Sequence, residues 1–219
     1  MASNNDFKNA MFNNDVYIRT NLNPETTADI IIGLTRLEQS TQFDEKANLS
    51  DKIYKPTDSI KTPVVNVYIS SNGGEDSSMF AILHLFDMLK SKGTIIRTYN
   101  LSLAASCAGV IAISGTPGYR YMASHAYNLI HFGRYTGTMQ RDSEIEISYK
   151  DIKDCNEEFK NLYSTYTNLS RKEINKYFEK EGSGKLGAKD CLAKGLCDWV
   201  ITPRGWTNNV QDLIDQKIR

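Results

Sequence analysis

The chain lacks an excess of charge of either sign. Lys plus Arg is 26 and Asp plus Glu is 26 in 219 residues, a formal net charge of +0. Nucleic-acid binders usually carry a basic excess, so a polyanionic partner has no support here. Long apolar runs are missing too. The best stretch, around Val110 to Ile113, is broken by Ser114, Gly115 and Pro117, well short of a bilayer span. The opening MASNNDFKNAMFNND is polar, without the apolar centre of a secretory signal. Cysteine pairs are absent. Cys107, Cys155, Cys191 and Cys197 stand far apart with no CxxC spacing. They are expected to be small apolar fillers in a reduced, cytoplasmic protein, with no cofactor, no metal site and no membrane partner. Histidine is scarce, at three residues, which narrows any search for a general base.

What is there reads as one soluble α/β unit of ordinary composition, 40% apolar and 24% charged. Residues 1–14 are expected to be a flexible arm, and 15–219 a single domain. Asp15 to Arg19 is a short strand. Pro24-Glu25-Thr26 opens a helix to about Gln39. The polar segment 40–62 reads as a loop insertion. Val64 to Ser70 is β-branched and apolar nearly throughout, as a buried parallel strand should be. A turn at Ser71-Asn72-Gly73-Gly74 leads into a helix over 77–91, with Met79, Ile82, Leu83, Phe86 and Leu89 on one face. Strands follow at Thr94–Tyr99, Arg120–Met122 and Tyr127–Ile130, with a short apolar helix over 106–114. In 142–170 Ile145, Ile152, Phe159 and Tyr166 recur every seven residues, the mark of a long helix with one buried stripe. Strands alternating with helices argue right-handed crossovers.

One hydroxyl stands out. Ser106 sits among small and apolar residues in Ala104-Ala105-Ser106-Cys107-Ala108. A buried hydroxyl needs a partner or it costs stability. Either it caps the following helix, as Ser commonly does, or it is displayed for chemistry. Two other pieces bear on this. Gly73 and Gly74 lie where a strand feeds a helix, so their backbone N–H groups could hold an oxyanion; a plain turn is the blander alternative. His131 ends the apolar strand Leu129-Ile130, whereas His84 lies on the polar side of its helix and His125 in a polar loop. A rigid strand end suits a general base, although a lone histidine there is more often structural.

Together the three pieces resemble the proteolytic subunit of the Clp proteases, self-compartmentalising serine peptidases. Tyr68-Ile69-Ser70-Ser71-Asn72-Gly73-Gly74 is similar to the family's YINSPGG turn. Ser102-Leu103-Ala104-Ala105-Ser106-Cys107-Ala108 is similar to its GxAASMG nucleophile motif, and Leu129-Ile130-His131 to MIH. The spacing from Ser106 to His131 matches as well. A late element, from Ala188 to Asp198, looks like the family's A-EA-xYGL-D. The likeness runs from about Asp15 to Ile201. The departures are Asn72 for Pro, Ser102 for Gly and Cys107 for Met.

The resemblance implies a fold of repeated ββα units with a protruding helical handle around 132–170, near Gly137. It implies a serine endopeptidase with Ser106 as nucleophile, His131 as base, and the Gly74 and Cys107 N–H groups as oxyanion hole. It further implies stacked heptameric rings, unfolded polypeptide substrates and an AAA+ unfoldase ATPase as partner. For the third triad member, counting forward from Thr167 reaches Glu181, and counting back from Gly195 reaches Ser183. Glu181 is the one that carries charge, while a Ser106–His131 dyad is the alternative. Two rival classes stay open: a ring subunit without activity, and a crotonase-like acyl-CoA enzyme, which would use the same twin N–H hole without needing Ser106 beside His131.

Overall fold

Strand β3, Val64–Ser71, shows how the sequence sets the architecture. Its residues alternate between the two faces of a sheet. Val65, Val67 and Ile69 are fully buried, while Asn66 and Tyr68 on the other face are only partly covered. The strand is parallel to both neighbours, as expected; one face meets the core and the other carries a ring ladder. Tyr17, Tyr68, Tyr99 and Tyr121 stack across four neighbouring strands with centroids 5.2, 5.0 and 4.8 Å apart, and Trp206 closes the row edge-on at 4.9 Å. Cross-strand aromatic pairs pin register.

The computed structural model describes residues 9–40, 63–131, 142–179 and 184–218. The chain is mixed α/β, as its alternating pattern implied. Among the described residues there are nine strands in one sheet. The first, β1 (Ala10–Phe12), pairs antiparallel with β2 (Asp15–Ile18). Ala10–Phe12 are thus a strand of the sheet, and residues 1–8 of the expected arm lie outside the described residues. Asn9 is buried and its side-chain oxygen accepts from the Arg19 and Thr20 N–H groups. Helix α1 (Pro24–Ser40) follows. Most of the 40–62 loop, from residue 41 on, lies outside the described residues, as does the handle tip at Gly137.

After β3 come α2 (Asp76–Ser91), β4 (Ile95–Ala105), α3 (Cys107–Ile113), β5 (Arg120–Ala123) and β6 (Tyr127–Ile130). Helix α2 turns Met79, Ile82, Leu83, Phe86 and Leu89 inward as the spacing predicts. Every residue of α3 is buried, so it forms the centre of the core. The helix expected over 142–170 is α4 (Asp142–Tyr166), and a separate helix, α5 (Arg171–Glu179), follows it. The chain then forms β7 (Gly184–Gly187), α6 (Ala188–Ala193), β8 (Trp199–Thr202), β9 (Gly205–Thr207) and α7 (Val210–Asp215). No helix among the described residues is long and apolar enough to cross a membrane.

Strand β4 is longer than the sequence suggested, and its two halves have different partners. Thr98–Asn100 pair with β5, whereas Leu103–Ala105 pair with β6. The register against β3 also breaks between Ile69 and Ser71. Strand β6 in turn pairs antiparallel with β7, Ile130 against Gly184. The change of partner sets the end of β4 beside β6 while Ala104 stays paired with Ser71 of β3.

A buried ion pair ties the far side of the fold together. Arg120 donates through Nε and Nη2 to both oxygens of Asp198, at 2.9 and 2.6 Å. Asp198 also accepts from the Gly118 and Arg120 N–H groups, and Arg120 Nη1 reaches the Tyr166 carbonyl at the end of α4. Burial alone would raise the Asp198 carboxyl, but the Arg120 hydrogen bond and charge outweigh it and hold the group below its usual value. A lowered folded value gives stability that is complete above the ordinary carboxylate range near pH 4 and lost as pH falls through the folded value. Asp198→Asn is expected to cost about 3 kcal/mol at neutral pH, because it strands the Arg120 charge. Thermal unfolding followed from pH 7 downward should show wild type converging on the variant at low pH; a constant gap would exclude this pair as the source.

Candidate active site

The site begins at the glycine turn after β3. Leu22 grips it by two backbone bonds: Leu22 N–H donates to Gly73 O at 2.7 Å, and Glu75 N–H donates to Leu22 O at 2.8 Å. Ser71 Oγ braces it from behind, accepting from Gly73 N–H and donating to Thr20 O. Gly74 has φ +148, and a Cβ there would fall 2.1 Å from Leu22 O. Gly73 has φ +95, and its Cβ would fall 2.7 Å from Ser106 Cβ and 3.0 Å from Cys107 N. Both positions demand glycine, one for the grip of Leu22 and one for close approach to Ser106. The turn is therefore built against Ser106 and Cys107 and is more than a generic strand-to-helix connection.

Ser106 itself stands at the sharp junction of β4 and α3. Its φ of 54 and ψ of −128 are rare for a non-glycine residue. Such a conformation costs on the order of 1–3 kcal/mol and persists only where the surroundings enforce it. The enforcement is visible: Ser106 N–H donates to Leu129 O at 3.0 Å, and Ser106 O accepts from Val110 N–H at 3.2 Å. The residue occupies the N-cap position of α3, yet its side chain makes no cap hydrogen bond. The helix-cap explanation of this serine therefore does not hold. A serine on a strained strand-to-helix turn is the geometry that exposes the nucleophile in α/β-hydrolases.

Cys107 opens α3, where first-turn N–H groups have no acceptor within the helix. Its thiol donates to Gly74 O at 3.0 Å, locking the nucleophile motif to the glycine turn. Burial pushes that thiol up to about 11, with the Ser106 side chain pulling modestly the other way. Cys107 is thus a neutral filler and no rival nucleophile.

His131 follows β6 immediately, and the β4–β6 register of Ala105 against Leu129 brings it next to Ser106. Both residues line one cavity of about 610 Å³. His84 and His125 are exposed and line other surfaces. The cavity has walls that no motif announced. Leu22 comes from the loop before α1, Glu75 and Asp76 from the start of α2, and Asp151, Ile152, Cys155 and Phe159 from α4. Cys155 was expected to be a core filler, but it is only part-buried and donates to Asp76 Oδ2 at 3.4 Å. Its thiol is pushed up to about 12, first by burial and then by the Asp76 carboxylate. Glu181 and Ser183 lie outside the described residues; Gly184, where β7 begins, pairs with the residue just before His131. A larger hollow of about 930 Å³ lies elsewhere, around Arg120, Asp198 and Trp206, and includes neither Ser106 nor His131.

The stripe on α4 is also partly accounted for. Phe159 is 7% exposed and Tyr163 1%, both packed within the subunit core. At Phe159 the stripe is thus covered within the subunit itself, while Ile152 and Tyr166 are only part-buried. Ile145 lies among residues whose side chains are not described. Tyr149, at 70%, is the large exposed apolar side chain of the helix.

The family model for the Clp protease matches residues 53–204. The chain belongs to the Clp protease family. It is 28% identical over 145 residues to the ATP-dependent Clp protease proteolytic subunit 4 of Streptomyces avermitilis, covering 66% of this chain and 62% of that one. It is 30% identical over 139 residues to proteolytic subunit 1 of Tropheryma whipplei, covering 63% and 65%. Against proteolytic subunit 2 of Chlamydia trachomatis serovar D the identity is 28% over 143 residues, covering 64% and 66%. The match thus spans less than two thirds of each of these relatives. Within the Clp protease match fall the glycine turn, the Ser106 motif, His131 and the Ala188–Asp198 element.

Proposed function

We propose that this chain is a serine endopeptidase subunit that cleaves unfolded polypeptides inside a ring chamber. The observation that carries the reading is Ser106: a strained serine freed from capping, sharing a cavity with His131. In the proposed reaction Ser106 Oγ attacks the scissile carbonyl while His131 takes its proton and later gives it to the leaving amine. The Gly74 and Cys107 N–H groups hold the tetrahedral oxyanion, each typically worth roughly 3–4 kcal/mol. Glu181 serves as the carboxylate that orients His131. A fluorophosphonate probe tests this directly. It is expected to label the wild-type protein at Ser106 and to leave Ser106→Ala unlabelled.

The relatives are named as subunits of an ATP-dependent protease, and on that likeness we propose stacked heptameric rings, an AAA+ unfoldase as partner and a cytoplasmic setting. The four free thiols fit such a compartment. Exposed Tyr149 on α4 supports a subunit contact on that helix. Sedimentation velocity at high protein concentration should give a species many times the subunit mass; a monomer there would defeat the ring proposal. A ring subunit without activity is the second reading, favoured by Ser183 at the position the backward count assigns to the family's carboxylate. Rings that form but resist the probe would establish it. Turnover of acyl-CoA surviving Ser106→Ala would instead favour crotonase-type chemistry.

A further inference from the structure

Two polar side chains lie in the core where α3, β6 and α4 meet, and the proposed reaction uses neither. Asn128 is 2% exposed and Tyr163 1%. Asn128 stands on β6, three residues before His131, and pairs with Ala104 of β4, two residues before Ser106. Its Nδ2 donates to Gly109 O, early in α3, at 3.3 Å. Its Oδ1 accepts from the Tyr163 hydroxyl of α4 at 3.4 Å. A carbonyl only accepts, so Gly109 O requires the NH2 end of the amide and leaves Oδ1 for Tyr163. Burial pushes the Tyr163 hydroxyl well up, so it stays protonated and donates. Gly109 makes the room: a Cβ there would fall 2.9 Å from the Tyr163 hydroxyl and 3.1 Å from Asn128 Oδ1.

Both hydrogen bonds are long, so they return little of what it costs to take an amide and a phenol out of water. An apolar pair of the same shape would serve the core at least as well. Stability alone therefore does not account for the pair. What it does is fix a spacing. Strand β6 is tied to the nucleophile motif twice: Ser106 N–H donates to Leu129 O at 3.0 Å, and Asn128 reaches Gly109 three residues further on. Ser106 keeps its φ of 54 only because its surroundings enforce it. Tyr163 brings α4 into the same lock, one helical turn beyond Phe159 of the cavity wall.

We propose that Asn128 is a positioning residue for the Ser106–His131 pair: its amide locks the start of α3 to β6, and Tyr163 holds the amide in the orientation that does so. The proposal rests on the serine peptidase reading of the same site. A misplacement of about 1 Å between reacting groups can lower turnover roughly a hundredfold, and loosening one of two ties should cost part of that. Contacts to the substrate are untouched, so the loss belongs in kcat and not in KM.

Asn128→Leu keeps the size of the side chain and removes both hydrogen bonds. In the assembled full chain it is expected to lower kcat on a fluorogenic peptide roughly tenfold, with KM within about twofold of wild type. Its melting temperature should equal or exceed that of wild type. Tyr163→Phe removes one hydroxyl, leaves the amide free to turn, and should lower kcat roughly threefold in the same pattern. It carries the test if Asn128→Leu does not fold. Labelling of Ser106 by a fluorophosphonate should slow in the same order, because it needs the same aligned pair. A kcat within about twofold of wild type in every folded variant overturns the positioning role and leaves the peptidase reading standing. A loss of kcat accompanied by an early melt also overturns it, since the pair would then be purely structural. Wild-type protein that neither turns over the peptide nor labels overturns both.

Discussion

Replacing Ser106 with alanine is expected to remove peptidase turnover, by roughly four orders of magnitude or more, without lowering the melting temperature. The two halves of that expectation have separate physical sources. Loss of a nucleophile leaves only the background that binding and the oxyanion hole supply. Loss of a helix cap costs about 1 kcal/mol, a shift of about 2–4 °C for a chain of this size. Ser106 makes no side-chain cap bond, so that second penalty should not appear. Hydrolysis of a fluorogenic peptide and a thermal scan of the same sample measure both. A variant that melts early yet still turns over would mean that the serine is structural after all.

The second large effect is expected at Glu181. When His131 takes the serine proton it becomes an imidazolium, and a neighbouring carboxylate both orients the ring and offsets the new charge. Glutamine keeps the shape and removes the charge. Glu181→Gln is therefore expected to lower turnover by roughly four orders of magnitude. Ser183→Ala should change it by only a few-fold, since a hydroxyl can orient the ring but offers no charge. The antiparallel pair of Ile130 with Gly184 makes the test worthwhile, because it brings the chain that follows Glu181 and Ser183 to the strand that ends at His131. Near wild-type rates for Glu181→Gln would remove it from the mechanism and leave a Ser106–His131 dyad.

These experiments also separate what the sequence carries from what the fold adds. The α/β alternation, the inward face of α2 and the pairing of a serine with one histidine out of three could all be read from local patterns. Periodicity and turn residues act over a few positions, and each such signal survives in the linear order. The length of β4 could not be read this way. Its extension from Thr98–Asn100 to Ala105 depends on exchanging β5 for β6 as partner, a pairing between segments distant in sequence. The short helix α5 after the long one was not read either, because its nine residues give too little periodicity to stand out.

By itself the sequence determined the family, the layered α/β class and the two residues that meet in the cavity, because motif order and side-chain periodicity are properties of the chain. Only the tertiary structure decided that Ser106 is not a cap, that Gly73 is packed against it, and that Asp76 and Cys155 face each other across one cavity. Those facts depend on which backbone approaches which. Leu22, the glycine turn, the end of β4 and α4 come from four separate stretches, and no local signal marks their meeting.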